Sequence, residues 1–444
     1  MTSRVGGRRA GAVVAAVTVA VVAAACTGAG HRGTTSASPT LTRTRQSNAS
    51  ASANADVVTV AGTGVPGAAG DGGPAARAQL DGPEGIAVDR TGDLFIADTG
   101  NCRVQMVPAH TGTWSGLRVV AHHVVTVAGT RCGTPMSKGG IGYPTAVAVD
   151  RAGDLFISEG TADRVVELRA TGGTSRSGGR SRPPLPRLVA GTGVPGSAGD
   201  GGPATRAQLD DPQGLAVDPA GDLFIADTEN CRVQVVPAHT GTLFGVAVTA
   251  GNMATVAGTG TCGTAGLGRP ATQAELWNPT AVALDGAGDL LVADRGAGYV
   301  VECPVATGTY YGVPIASGDL AVVAGMGLYG AYVTGGLSAT GTLAELNDVR
   351  GLAVAPSGSM FAADTSERAV RMVPAVDGSW LGRQVAADDL YTAAGAAPAG
   401  FGGNGTRWVA TTMLSPWGLA VDASGDVFYS DRSADDVREI PARP

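Results

Sequence analysis

Pro83-Glu-Gly-Ile-Ala-Val-Asp89, Gly92-Asp-Leu-Phe-Ile-Ala-Asp98 and Asn101-Cys-Arg-Val-Gln-Met-Val-Pro108 are three short apolar runs separated by turn residues. Runs of this length, bounded by Gly, Asp and Asn, read as strands. The unbroken Leu94-Phe-Ile-Ala stretch suits a strand covered on both faces. Gly92 before it fits the positive φ of a tight hairpin. The pattern returns five more times. Its acidic marker falls at Asp98, Glu159, Asp227, Asp294, Asp364 and Asp431, at intervals of 61 to 70 residues. A turn glycine stands six residues before each marker, from Gly92 to Gly425. Self-similarity at a fixed period signals a repeat architecture.

A fourth strand completes each unit and ends in Val-Ala-Gly. It occurs at Val60–Gly62, Val127–Gly129, Val189–Gly191, Val256–Gly258 and Val323–Gly325, with Ala393–Gly395 as a degenerate copy. One copy precedes the first unit and none follows the sixth. Circular closure resolves this offset, with Val57–Ala61 completing the blade begun by Gly418–Ile440. The predicted fold is all-β: a six-bladed β-propeller over residues 57–444, with four antiparallel strands per blade. Closure removes the edges that an open array would expose.

The run Val-Ala-Gly-Thr-Gly…Gly-Asp-Gly-Gly-Pro-Ala…Ala-Gln-Leu, followed by Pro-x-Gly-Ile-Ala-Val-Asp, resembles the NHL-repeat family, in its exported bacterial form. The resemblance covers about residues 57–441. It implies the propeller fold but not one activity, because the family includes protein-binding, RNA-binding, sensor and enzymatic members. The copies are unequal. The arginine five residues after the marker is present as Arg103, Arg164 and Arg232, then becomes Tyr299, Ala369 and Asp436.

Ahead of the repeats, Arg4, Arg8 and Arg9 precede an apolar run from Ala10 to Ala25. That run is short for a bilayer span of roughly 20 residues. Residues 1–25 read as an export signal. Cys26 would then stand first in the mature chain, in the manner of a bacterial lipoprotein, and would carry the lipid. Residues 26–56, rich in Ser, Thr and Ala, read as a tether. The expected location is extracytoplasmic, lipid-anchored or secreted. The formal net charge is -7, which disfavours a nucleic-acid partner.

Export makes disulfides expected. Cys102 and Cys231 occupy equivalent positions, as do Cys132 and Cys262, at separations of 30 and 31 residues. One Cys opens a third strand and its mate follows the fourth, its antiparallel neighbour. We expect Cys102–Cys132 and Cys231–Cys262, with Cys303 left over inside a strand.

Catalytic signals are weak. The acidic markers occur in every unit, as architectural residues do. Their expected role is to accept bonds from turn backbone and to pair with Arg103, Arg164 and Arg232. Histidine is scarce: His110 and His239 follow third strands, and His122 and His123 lie in a loop. No zinc-ligand pair, nucleophile elbow or phosphate loop is present. No metal site or cofactor is assigned, although calcium held by carboxylates and amides is compatible with the sequence. The positions that vary are more informative. In each Pro-x-Gly or Pro-x-Ala start of the innermost strand, with Val349 in place of Pro in the fifth unit, x should face the axial mouth. These residues are Glu84, Thr145, Gln213, Thr280, Arg350 and Trp417. A repeated scaffold with a varied rim is what a binding site needs. The expected function is a monomeric, non-enzymatic binding or scaffold propeller. It would engage a protein, peptide or cell-wall component, with Trp417 stacking and Arg350 or Glu84 supplying charge. The alternative is a calcium-dependent propeller enzyme of the lyase or lactonase kind.

Overall fold

The computed structural model describes residues 57–170, 184–325, 346–395 and 411–442. The expected export signal, the Cys26 lipidation site and the tether lie outside these residues. Among the described residues, no helix is long and apolar enough to cross a membrane.

The repeats form six antiparallel sheets of four main strands each, the blades of a propeller, and in blade 4 the two-residue strand Arg269–Pro270 adds a fifth at the outer edge. Each starts with an innermost strand: Pro83–Val88, Pro144–Val149, Pro212–Val217, Pro279–Leu284, Val349–Val354 and Pro416–Val421. Hairpins lead outward through the second and third strands, and five of the six blades end on their own fourth strand. Blade 6 does not. Its outer strand is Val58–Ala61, which pairs antiparallel with Asp436–Ile440. The ring is therefore closed by the N-terminal strand, as the offset in the sequence required.

Burial explains the composition of the strands. The second strand of blade 1, Leu94–Asp98, is buried at every position. Six apolar clusters fill the six spaces between neighbouring blades. One joins Phe95 and Met106 of blade 1 to Leu155 and Ile157 of blade 2. Another joins Ala61 and Val437 of blade 6 to Ile86 and Ile96 of blade 1. Each blade thus buries both faces against its neighbours, and apolar burial of this kind drives the assembly.

The paired aspartates of the repeat have separate tasks. Asp89 Oδ1 accepts from the Thr91 and Asp93 backbone N–H groups and holds the first hairpin. Asp93 Oδ1 accepts from Ala109 N, just beyond the third strand. The same two bonds recur with Asp150 and Asp154 in blade 2.

One feature was not legible as an element. Between third and fourth strands, Gly112–Trp114 with Leu117–Val119 forms a small hairpin, as do the pairs Gly241–Leu243 with Val246–Val248, Gly308–Tyr310 with Val313–Ile315, and Gly378–Trp380 with Arg383–Val385. Their aromatics turn inward. Trp114 lies 5.8 Å from Phe95, Phe244 6.1 Å from Phe224, and Trp380 5.7 Å from Phe361. They cap the outer edges of blades, leaving no exposed aromatic rim there.

Both expected disulfides are present, each with Cα atoms 5.1 Å apart. Cys102 and Cys231 hold left-handed turns with φ of 52°, a conformation that costs a side-chain-bearing residue energy. Cys303 is free and buried.

Candidate functional site

The six innermost strands meet around the axis in ring order. Adjacent strands approach backbone to backbone near their starts, and this explains the small residue after x. A Cβ on Gly85 would lie 2.6 Å from Ala146 Cα, and one on Gly214 2.6 Å from the Thr280 carbonyl. The axial cavity is consequently narrow, about 60 Å³, room for a few waters. A ligand larger than that must sit in the mouth above it.

The markers and their neighbours build the mouth. Asp98 Oδ1 accepts from Asp81 N at 2.8 Å, and Asp227, Asp294 and Asp431 accept from the matching Asp210, Trp277 and Leu414 N–H groups. Each carboxylate thereby fixes the segment that leads into an innermost strand. Arg103, Arg164 and Arg232 pair with Asp98, Glu159 and Asp227, as expected. Where the usual arginine is lost in blade 5, Arg371 pairs with Asp364 at 3.2 Å instead. It stands two residues further along the same strand and so on the same face. Blade 4 has Tyr299 there and no replacement cation. Burial pushes the Asp294 carboxyl up to about 8.

A belt of hydroxyl bonds locks each blade to the next at mouth level. Thr99 Oγ1 donates to Pro144 O at 2.7 Å, Ser158 Oγ to Pro212 O at 2.6 Å, and Thr228 Oγ1 to Pro279 O at 2.8 Å. Thr280 donates to Val349 O, Thr365 to Pro416 O, and Ser430 to Glu84 O, which completes the circle.

Five of the six x residues, Thr145, Gln213, Thr280, Arg350 and Trp417, line the axial cavity. Glu84 stands beside it, with its carboxylate turned to Arg432 Nε at 2.9 Å. The threonines are partly committed to structure: Thr145 Oγ1 donates to Pro212 O at 3.0 Å, and Thr280 belongs to the belt. Gln213 Nε2 donates to Asp211 Oδ2 at 2.7 Å. Arg350 lies over the Trp417 ring, Cζ 4.2 Å from the centroid, and Arg432 lies over the same ring at 4.8 Å. The indole is thus a platform for two guanidinium groups. Arg350 Nε donates to Asp348 Oδ1 at 2.8 Å, and Arg295 Nε donates to the same oxygen. Burial pushes the Glu84 carboxyl up to about 7, opposed by Arg432 and then Arg350.

Sequence reading missed Arg295, Asp348, Arg432 and Asp211. A signal for them existed. The residue after the acidic marker is Thr99, Thr228 and Thr365 in alternate blades but Arg295 and Arg432 in blades 4 and 6. The residue before the innermost strand is Gly82 in blade 1, yet Asp211, Asn278 and Asp348 take the same left-handed backbone with φ of 47° to 57°. Asp and Asn are among the side-chain-bearing residues that enter that region most readily. On the segments that lead into the innermost strands, Tyr143, Trp277 and Leu414 are exposed apolar residues. The mouth thus has a charged centre and a partly apolar rim.

Among the described residues, no group of three or more Asp, Glu, His or Cys side chains is placed to hold a metal ion. A larger cavity, about 490 Å³, lies on the opposite end of the wheel between blades 5 and 6, lined by Phe361, Met372 and Trp380 among others. It has no charged group in its lining.

The NHL repeat family model matches residues 80–105 and 209–236, the inner strands of blades 1 and 3. No curated protein sequence matches the chain. Among solved structures, the chain is similar to a structural genomics protein of unknown function from Bacteroides thetaiotaomicron, with 13% identity, TM-score 0.53, and coverage of 86% of this chain and 75% of that one. It is similar to an auxiliary nutrient binding protein from the same organism, with 13% identity, TM-score 0.50 and the same coverage. A virginiamycin B lyase from Staphylococcus aureus aligns over 81% of this chain and 96% of its own at 10% identity and TM-score 0.42. At these identities the likeness concerns the fold.

Proposed function

We propose that this NHL-repeat propeller is an extracytoplasmic binding protein that holds a peptide, protein or cell-wall ligand at its axial mouth without chemical conversion. One observation carries the reading: a closed structural belt surrounds a set of varied side chains that are fixed but not used up. The belt hydroxyls and marker carboxylates hold the backbone, while Gln213, Arg350 and Trp417 line the axial cavity and Arg432 lies over the Trp417 ring. Rigid placement of a few convergent polar groups is how specificity is built. Two disulfides support an oxidising compartment.

The test is a thermal-shift screen of the full chain against cell-wall fragments, peptides, neutral sugars and divalent ions. A ligand at one hundred times its Kd should stabilise the fold by about 2.7 kcal/mol. Gln213→Ala should reduce that shift. Hits whose shift is indifferent to mouth substitutions would move the site elsewhere. A stoichiometric calcium ion retained through purification would favour the enzymatic alternative.

A further inference from the structure

Two kinds of arginine occur in this propeller. In the blades, the guanidinium is spent on structure. Arg103 gives Nε to Asp98, Nη1 to Ala68 O and Nη2 to Gln79 O. Arg232 and Arg371 likewise commit a terminal nitrogen, to Ser197 O and to the Thr392 hydroxyl. At the mouth the pattern differs. Arg295, Arg350 and Arg432 each engage a carboxylate through Nε. Among the described residues, no main-chain carbonyl takes their terminal nitrogens as the Ala68 and Gln79 carbonyls take those of Arg103. Arg350 is the telling case, since its side chain is only 12% exposed. Its terminal nitrogens are not among the buried polar atoms left without a partner; the side chain lines the axial cavity, where an incoming acceptor can complete the fork.

The ion-pair count points the same way. Three guanidinium groups meet two carboxylates, Asp348 and Glu84, and one Asp348 oxygen serves both Arg295 and Arg350. The Trp417 ring orients Arg350 and Arg432, so their forks are held in place before a ligand arrives. The acidic groups facing this cluster are Glu84 and, across the mouth, Asp211. Asp211 is occupied by Gln213.

Resting on the reading of the mouth as a binding site, we propose that blades 4 to 6 form a carboxylate receptor, in which the open forks of Arg350 and Arg432 take the free carboxylate of the ligand in paired hydrogen bonds. Glu84 acts there as the internal stand-in, holding Arg432 until a stronger acceptor displaces it. Planar, two-point recognition of a carboxylate is the chemistry for which arginine is suited. Protonation of Glu84 below about 7 releases Arg432, so carboxylate affinity rises as pH falls through that range. Arg432, Arg350 and Asp211 are the charged groups that face Glu84 and set this behaviour.

The experiment is calorimetric titration of the full chain with N-acetyl-alanyl-alanine and with the same dipeptide as its C-terminal amide, at pH 6 and pH 8. The acid should bind at least about tenfold more tightly than the amide, and more tightly at pH 6. Arg350→Gln should reduce binding of the acid about tenfold or more in a chain that far-ultraviolet circular dichroism shows to be folded. Glu84→Gln should tighten it at pH 8 and remove the pH dependence. Equal affinity for acid and amide overturns the receptor, as does Arg350→Gln binding that matches wild type in a folded chain, or failure of the acid to bind at all. A neutral ligand that loses affinity on Gln213→Ala would leave the mouth as a binding site while removing its preference for carboxylates. Hits that ignore every mouth substitution would remove the wider reading as well.

Discussion

Closure of the wheel can be tested with one methyl group. Gly62 ends the strand Val58–Ala61 and has φ of +94°. A Cβ placed there would overlap the Asp435 carbonyl and lie 2.6 Å from Asp436 Cα. Both atoms belong to the last blade, more than 370 residues away in sequence. Gly62→Ala therefore carries two costs. A side chain in the left-handed region costs about 1–2 kcal/mol, and forcing a methyl against rigid backbone adds about 1–3 kcal/mol. The sum is about 2–5 kcal/mol. Gly64→Ala is the control. Its φ is +74°, but its nearest contact would be Ala434 O at an ordinary 3.6 Å, so only the about 1–2 kcal/mol of backbone strain applies. Urea unfolding followed by tryptophan fluorescence and far-ultraviolet circular dichroism measures both. Gly62→Ala should be the less stable by about 1–3 kcal/mol. It should also become more easily cleaved near its N-terminal strand, because release of that strand leaves Asp436–Ile440 as an open edge. Equal destabilisation by the two substitutions would refute close seating of the first strand on the last blade.

Removing the Cys102–Cys132 bridge by the double substitution Cys102→Ser, Cys132→Ser should destabilise the chain by about 3–4 kcal/mol from the loop entropy of a 30-residue link; denaturant midpoints check this, and the Cys231→Ser, Cys262→Ser pair should behave alike. Asp294 titrates near 3.9 when unfolded but near 8 in the fold. Its proton therefore favours folding fully below about 4, and that contribution is lost as pH rises through about 8. Glu302, also pushed up to about 8 by burial, acts in the same direction. Asp294→Asn, whose amide oxygen can still accept from Trp277 N, should show a flatter decline in unfolding midpoint between pH 5 and pH 9; a decline as steep as that of wild type would contradict the assignment.

The sequence by itself determined the wheel. Six glycine-marked units with a fourth strand displaced to the front leave no other bookkeeping, because strand pairing is encoded by period and register, which are local. The two disulfides were legible for the same reason: equivalent cysteines sit at the adjoining ends of antiparallel neighbours. The sequence also placed five of the six varying residues at the axial cavity, since the second residue of each innermost strand recurs at one level of the wheel. What those residues do there was decided only by tertiary structure. Thr145 and Thr280 read as rim residues, yet their hydroxyls hold the next blade. Trp417 read as a stacking surface for a ligand, yet it carries Arg350 and Arg432, which arrive from different blades. Arg432 meets Glu84 across 348 residues of chain. No periodicity encodes such a contact. It arises where closure of the ring brings side chains of unrelated sequence positions into one narrow opening, and their pairing there depends on distances that local sequence does not specify.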